Sequence, residues 1–276
     1  MEELRIDLHC HSTYSDGSLT PIELLELAKQ EGFNAIAITD HDTFAGYFEA
    51  AKASVSYAID VLPGIEISTE LAKESVHVLG FAFDPYNEKL LQFCLEQRLR
   101  RIERNRAILQ KLTAAGMPLT EDEIVTSTDP LHTYGRVHIA CAMWKKGYVK
   151  DIAQAFKRYI GDTKSCYVSA KHCSVEEAIA IIHQAKGKAV LAHPHLIERK
   201  STLRALMQLP FDGIEAIYSR FSEQENRRWI LCANEKGWFV TGGSDFHGLA
   251  KPYTRLGCAL TSQEVFLQLK NHFMQE

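Results

Sequence analysis

Residues 4–43 read LRIDLHCHSTYSDGSLTPIELLELAKQEGFNAIAITDHDT, and they contain the first strand–helix–strand pattern of the chain. A short apolar run leads into His9, Thr20 and Glu23 form a capping box around Pro21, and a second apolar run follows the helix that they begin. Similar runs predict strands at 4–9, 34–39, 61–68, 76–82, 188–193, 213–218 and 239–243. Strands that alternate with helices favour an α/β fold with a parallel sheet, either a closed barrel or an open doubly wound sheet.

The middle of the chain departs from this alternation. A long helical pattern covers 90–115, and shorter ones lie near 136–146 and 151–159, with no convincing strand between them. Further capped helices are predicted to begin at Ser174, Ser222 and Thr261. We therefore predict one β/α domain with a helical insertion: residues 1–86 form its first half, 87–164 the insertion and 165–276 its second half.

Composition narrows the class of protein. The chain has 276 residues, with 31 Lys and Arg against 35 Asp and Glu, so a net charge of −4 argues against non-specific coating of nucleic acid. No signal peptide or membrane-spanning run is visible. The seven cysteines form no Cys-x-x-Cys pair, which indicates reduced thiols and no zinc–thiolate site. We expect a cytoplasmic enzyme.

Side chains that can bind metals recur at or near the carboxyl ends of most predicted strands. His9 and His11 are two residues apart and share one strand face with Asp7. The later strands add His41, Glu66, His77, His193, Asp245 and His247. This end of the strands carries the active site in β/α folds, and buried imidazoles and carboxylates need a compensating partner. The pattern therefore indicates a divalent cation.

These motifs resemble those of the polymerase and histidinol phosphatase (PHP) family. They are DLHCHSxYSDG at 7–17, TDHDT at 39–43, GxE at 64–66, HxLG at 77–80, AHP at 192–194 and SDFH at 244–247. The resemblance implies a metal-dependent phosphoesterase on a distorted seven-stranded β/α barrel related to the amidohydrolases. It also implies two or three bound divalent ions, with Mn²⁺ expected and Zn²⁺, Fe²⁺ and Mg²⁺ as alternatives.

The resemblance assigns nine ligands in three sets. One metal falls to His9, His11, Glu66 and Asp245, a second to Glu66, His77 and His193, and a third to Asp16, His41 and His247. Asp7 and Asp40 are expected just outside the ligands, where a carboxylate can accept the free ring N–H of a ligating histidine. Direct ligation by Asp7 remains an alternative.

Such ions can lower the pKa of a bound water from about 16 to about 7 and neutralise phosphoryl oxygens during attack. Asp245 and His193 would hold the ions. His195 is a candidate proton donor to the leaving oxygen, and the alternative is that it is a simple surface histidine. By resemblance, Arg136 in the GRxHIA element at 135–140, Lys164, and Arg220 in the YSR element at 218–220 would contact phosphate, with His195 beside them. Each could equally be an ordinary solvated cation. The arginines of 98–106 are interpreted as a solvated helix face.

The insertion and the GRxHIA and YSR elements most resemble the stand-alone bacterial branch of the family. That branch removes the 3′-phosphate of nucleoside 3′,5′-bisphosphates, and some members degrade short RNA from its 5′ end. A histidinol-phosphate phosphatase, an amidohydrolase-like C–N hydrolase and a non-enzymatic metal-bound module are the alternatives. The expected partners are a small phosphate ester and short single-stranded RNA, with no membrane and no obligate protein partner.

Overall fold

The computed structural model describes residues 4–125, 127, 129 and 131–275. Seven strands form one sheet in which each strand pairs with the next along the chain. They are β1 (Ile6–Cys10), β2 (Ala35–Ile38), β3 (Asp60–Leu71), β4 (Glu74–Phe81), β5 (Lys188–Leu191), β6 (Gly213–Tyr218) and β7 (Phe239–Gly243). Just after β7, the N–H of Asp245 donates to the carbonyl of His9 at 2.8 Å, and the N–H of His11 donates to Phe246 at 2.9 Å. The last strand thus returns to the first, and the predicted seven-stranded barrel is confirmed.

The expectation of a parallel sheet fails at one strand, because β4 runs antiparallel to both β3 and β5. Leu71 pairs with Glu74, so a two-residue turn at Ala72 and Lys73 joins β3 to β4. Both turn residues have positive φ, 52° and 65°, as a tight hairpin requires. Neither is the Asn or Gly that usually signals such a turn, which is why the sequence did not reveal it.

Nine α-helices surround or extend this barrel in the described part of the chain. They are α1 (Pro21–Gln30), α2 (Ala45–Tyr57), α3 (Glu88–Ala114), α4 (Arg136–Lys145), α5 (Ile152–Ala155), α6 (Val175–Gln184), α7 (Lys200–Leu206), α8 (Glu223–Lys236) and α9 (Gln263–Gln275). The capping boxes expected at Thr20, Ser174 and Ser222 are present. The one expected at Thr261 is wrong: its hydroxyl bonds to the backbone of Gly242, and Ser262 Oγ accepts the N–H of Val265 instead.

The helical segment between β4 and β5 has a hydrophobic core of its own. Ile108 from the second half of α3 packs there with Ile139 and Met143 of α4 and with Ile160. The first half of α3 packs on the barrel instead, through Leu90. The helix α3 therefore contributes side chains to both cores. The boundaries of the insertion, placed after residues 86 and 164, remain a prediction. None of the helices in the described residues has the length and apolar character needed to cross a bilayer.

A substitution at Gly243, where β7 lies close to His9 of β1, tests how the barrel closes. A Cβ there would lie 2.2 Å from His9 Cβ and 2.8 Å from Glu215 Oε1, so Gly243→Ala must push β7 away from β1. We expect a loss of about 3 kcal/mol or more in the free energy of unfolding, measured by denaturant titration. The control is Gly32→Ala, where no heavy atom lies within 4 Å and only the positive φ of 73° is unfavourable. That change should cost about 1–2 kcal/mol. Equal losses would show that the close approach is not limiting.

Candidate metal centre

The carboxylate of Glu66, on β3, lies at the centre of the predicted ligands. Its side chain is 1% exposed, and five imidazole nitrogens lie within 3.4 Å of its two oxygens. Oε1 faces His77 (2.7 Å) and His193 (2.9 Å), and Oε2 faces His11 (3.1 Å), His41 (3.2 Å) and His9 (3.4 Å). His77 reaches this rim because β4 is antiparallel, which places it opposite Ser68 of β3. The fold therefore brings imidazoles that lie in or just after four strands, β1, β2, β4 and β5, to one carboxylate of β3.

Potential ligand atoms form three overlapping groups, in each of which they lie within 4.8 Å of one another. The groups are His9, His11, Glu66 and Asp245; His41, Glu66 and His77; and His11, Asp16, His41 and His247. The first contains the same residues as the first predicted set. In the second, His41 stands where the resemblance implied His193, whose Nε2 contacts Glu66 Oε1. The third adds His11 to the predicted residues.

The donor atoms of these groups fit a bound cation. Asp16 Oδ1, His41 Nδ1 and Glu66 Oε2 are buried and have no hydrogen-bond partner among the described residues. Unpaired buried polar atoms are costly, and histidine and carboxylate ligands suit divalent transition metals. Burial alone would raise the pKa of Glu66, but the imidazoles around its carboxylate, His77 first among them, hold the pKa well below its ordinary value. The carboxylate is therefore ionised and available as a ligand.

Neighbouring imidazoles differ in their proton affinity. Burial lowers the pKa of His41 well below its ordinary value, so this ring is neutral and ready to bind a metal. Burial opposes protonation of His11 too, but the neighbouring carboxylates of Asp245 and Glu66 raise its pKa to about 9. Because metal ligation requires a neutral imidazole, an ion that binds here would displace that proton.

Asp7 and Asp40 are buried, but neither accepts an imidazole N–H as expected. Asp7 accepts the backbone N–H groups of His9, Ser244 and Gly257 at 2.8–3.1 Å, and it belongs to none of the three groups. These bonds tie β1 to the segment after β7. Asp40 accepts the N–H and hydroxyl of Ser12 and the hydroxyl of Ser15. It therefore shapes the loop that carries Asp16.

Sequence reasoning missed Glu215, which does what was expected of Asp7 and Asp40. Its Oε1 lies 2.8 Å from His9 Nδ1, and its Oε2 accepts the backbone N–H of His193 at 2.9 Å. Glu215 is fully buried in the middle of β6. A single glutamate within the apolar strand GIEAIY was the available signal. It fixes the ring of one potential ligand and the backbone of another.

The two carboxylate oxygens of Asp245 face different partners. Oδ1 faces His11 Nε2 at 3.4 Å and His9 Nε2 at 3.6 Å, on the side of the proposed metals. Oδ2 accepts the Tyr218 hydroxyl and the Lys251 ammonium, both at 2.6 Å. Burial and the charge of Asp245 raise the pKa of Tyr218, which therefore remains a donor. Lys251 was not among the predicted residues.

The three predicted phosphate-contacting cations have different surroundings. Arg220 lines a cavity of about 620 Å³ together with His247 and Lys251. Arg136, the first residue of α4, pairs with Asp162 and lies over the ring of Tyr167. Lys164 is exposed, and no side-chain contact with the centre is seen in the described residues.

His195 belongs to none of the three groups of potential ligands and lies in an aromatic pocket. Its ring stacks on Phe221 at 4.4 Å between centroids and faces Tyr218 and Trp229. Burial lowers its pKa to about 4. The ring is therefore neutral near pH 7, which differs from the protonated state that a resting general acid needs.

Comparison with known proteins gives a consistent result. The family model described as "PHP domain" matches residues 7–254. A Haemophilus influenzae protein named 5′-3′ exoribonuclease is 36% identical, over 88% of this chain and 90% of its own. The 3′,5′-nucleoside bisphosphate phosphatase of Chromobacterium violaceum is 35% identical, over 88% of this chain and 87% of its own. A solved structure of a candidate metal-dependent phosphoesterase from Bifidobacterium adolescentis has a TM-score of 0.89 at 31% identity, covering 98% of both chains.

A substitution of Glu215 tests whether its contact with the His9 ring supports metal binding. Glu215→Gln keeps the shape of the side chain but removes the charge that holds the His9 ring. We expect metal affinity to fall about 10- to 100-fold, as measured by competition with a chelator. Glu223→Gln, which changes an exposed residue of α8, is the matched control and should leave affinity unchanged. An unaltered affinity in Glu215→Gln would mean that this carboxylate serves folding alone.

Proposed function

Because this chain belongs to the PHP family, we propose that it is a metal-dependent phosphoesterase acting on nucleotides. Its preferred reaction is removal of the 3′-phosphate from nucleoside 3′,5′-bisphosphates, with short 5′-phosphorylated oligoribonucleotides as a second substrate class. The observation that carries this proposal is the buried Glu66 carboxylate surrounded by five imidazoles. The printed names of the Chromobacterium and Haemophilus relatives support the two substrate classes.

Nine residues would hold two to three divalent ions, with manganese as the expected metal. They are His9, His11, Asp16, His41, Glu66, His77, His193, Asp245 and His247. When bound, the ions would supply an activated water and positive charge for the phosphoryl oxygens. The chain itself orients the ligands: Glu215 positions His9, while Tyr218 and Lys251 direct one oxygen of Asp245 towards the metals. Asp7 and Asp40 support the backbone around them.

His195 is proposed to protonate the leaving oxygen, and its environment sets a condition on that role. The ring is neutral in its aromatic pocket, so it must gain a proton when the negative charge of a phosphate substrate enters nearby. Arg220, in the cavity beside His247, is proposed to bind substrate phosphate, as are Arg136 and Lys164. The free thiols of all seven cysteines suit a reducing compartment, and we propose the cytoplasm.

Metal content is the first test of this function. We expect elemental analysis of protein purified without chelator to give two to three divalent ions per chain, and chelation to abolish turnover. The substrates to compare are adenosine 3′,5′-bisphosphate, histidinol phosphate and a 5′-phosphorylated trinucleotide. Full activity with far less than one ion per chain would overturn the mechanism. Preference for histidinol phosphate would select the alternative phosphatase.

Substitutions of two aspartates should distinguish a residue that binds metal directly from one that supports the surrounding backbone. Asp245→Asn should abolish turnover, because it replaces the carboxylate that faces His9 and His11 by a neutral amide. Asp40→Asn should reduce turnover only about 10- to 100-fold, since Asp40 acts through the serines that it holds. Both variants are assayed with saturating metal, and circular dichroism checks their folding. An equally severe loss in Asp40→Asn would promote Asp40 to a direct ligand.

A substitution of Arg136 should distinguish an effect on substrate binding from an effect on the chemical step. Arg136→Ala should reduce kcat/KM for the bisphosphate about ten- to hundredfold, the contribution typical of a charge-assisted contact. Hydrolysis of p-nitrophenyl phosphate, which has no second phosphate, should change much less. Equal losses on the two substrates would place Arg136 at the cleaved phosphate. No loss on either would leave it as a structural partner of Asp162.

A further inference from the structure

The outward face of α3 carries an apolar stripe. Four large apolar side chains on it are each between 40% and 53% exposed: Leu91, Leu95, Leu99 and Ile102. They follow the 3–4 spacing of a helical contact face, so they form one row along the helix. The opposite face of α3 already packs on the two cores through Leu90 and Ile108. The stripe is therefore a second contact face, which the described residues of this chain leave exposed.

An apolar groove of about 380 Å³ lies beside the first half of this stripe. Leu91 and Leu95 line it from α3, and Phe44 and Phe48 line it from the beginning of α2. Leu131, which is also exposed, belongs to the same groove and extends the apolar surface. Soluble monomers seldom expose a contiguous apolar surface of this kind, which is typical of an interaction site.

The two halves of the stripe complement each other. Leu91 and Leu95 adjoin the groove, whereas Leu99 and Ile102 lie outside it and are exposed. If a second α3 packs antiparallel, centred midway between Leu95 and Leu99, then Leu95 faces Leu99 and Leu91 faces Ile102. The exposed side chains of each copy then reach the groove of the other. This reciprocity is what a twofold interface between identical chains requires.

Charges at the two ends of the stripe favour the same orientation. Glu88, in the first turn of α3, forms no ion pair within the described residues. Arg106, near the other end, is exposed and pairs with Glu121 at the surface. Glu88 and Arg106 are about five helical turns apart and so lie on the same side of the helix. Antiparallel packing brings Glu88 of each copy to Arg106 of the other, whereas parallel packing would bring like charges together.

We propose that the stripe and groove of α3 form a homodimer interface, in which a second copy of this chain packs antiparallel on the first. Burial of the apolar side chains supplies the attraction, and the charges at the ends set the orientation. The interface contains none of the nine proposed metal ligands. It is therefore independent of the proposed function and is tested without an activity assay.

Oligomeric state is measured by sedimentation of the metal-loaded, full-length protein over a wide range of concentration. The wild type should form dimers, and Leu99→Glu should raise the dissociation constant about 100-fold or more, because each dimer would bury two unpaired charges. The control is Leu231→Glu on α8, since Leu231 and Leu99 are both 53% exposed. It should dimerise as the wild type does, and circular dichroism checks that both variants fold. A wild type that stays monomeric would overturn the proposal and leave the stripe to a different protein. So would a dimer that resists Leu99→Glu, or one that Leu231→Glu weakens equally.

Paired charge reversals test the orientation. Glu88→Arg and Arg106→Glu should each raise the dissociation constant about tenfold, because like charges then meet at both ends of the dimer. An equimolar mixture of the two variants should dimerise more tightly than either alone, since opposite charges face each other at both ends of the mixed dimer. Arg106→Glu also loses its partner Glu121, but it does so equally in the mixture and alone. A mixture that dissociates as readily as the separate variants would overturn the antiparallel arrangement.

Discussion

The clustering of imidazoles around the Glu66 carboxylate determines how the strands of the barrel have to be arranged. One ionised carboxylate, almost fully buried, lies within 3.4 Å of five imidazole nitrogens that come from distant parts of the chain. The closed barrel with one reversed strand brings these groups together: the segment after β7 returns to β1, and the antiparallel β4 places His77 opposite Ser68 at the same rim. The packing of the barrel is thus inseparable from the clustering of its charged groups.

The backbone is strained where this cluster is built. Asp42, His193 and Asp245 all have positive φ, at 56°, 25° and 54°, although none is glycine. Such conformations persist only where surrounding contacts impose them. Each has such contacts: Asp42 binds Arg101, the N–H of His193 binds Glu215, and Asp245 binds Tyr218 and Lys251. The groups just outside the proposed ligands therefore hold the backbone in place as well as orienting side chains.

The sequence predicted the parts of the site that depend on local spacing. His9 and His11 share a strand face, and motifs at strand ends converge once strands form a barrel. Features that depend on distant partners were missed. The direction of β4 depends on a turn at Ala72 and Lys73 that lacks the usual turn residues, and the role of Glu215 depends on His9, 206 residues away. Charge alone does not show whether a side chain is buried.

Two arginines on α3 illustrate that last difficulty: Arg101 and Arg104 are buried, so the interpretation of the arginines of 98–106 as a solvated helix face is wrong for them. Residues 101, 104, 105 and 108 follow the 3–4 spacing of a buried helical face, but the basic composition of the segment concealed this periodicity. The carboxylate that neutralises Arg101 belongs to Asp42, the neighbour of His41. The insertion also reaches that loop directly, since the Thr133 hydroxyl donates to the carbonyl of His41 at 2.8 Å. Arg101 and Thr133 thus connect the insertion to the same short loop that positions a potential metal ligand, so the insertion contributes to the geometry of the site.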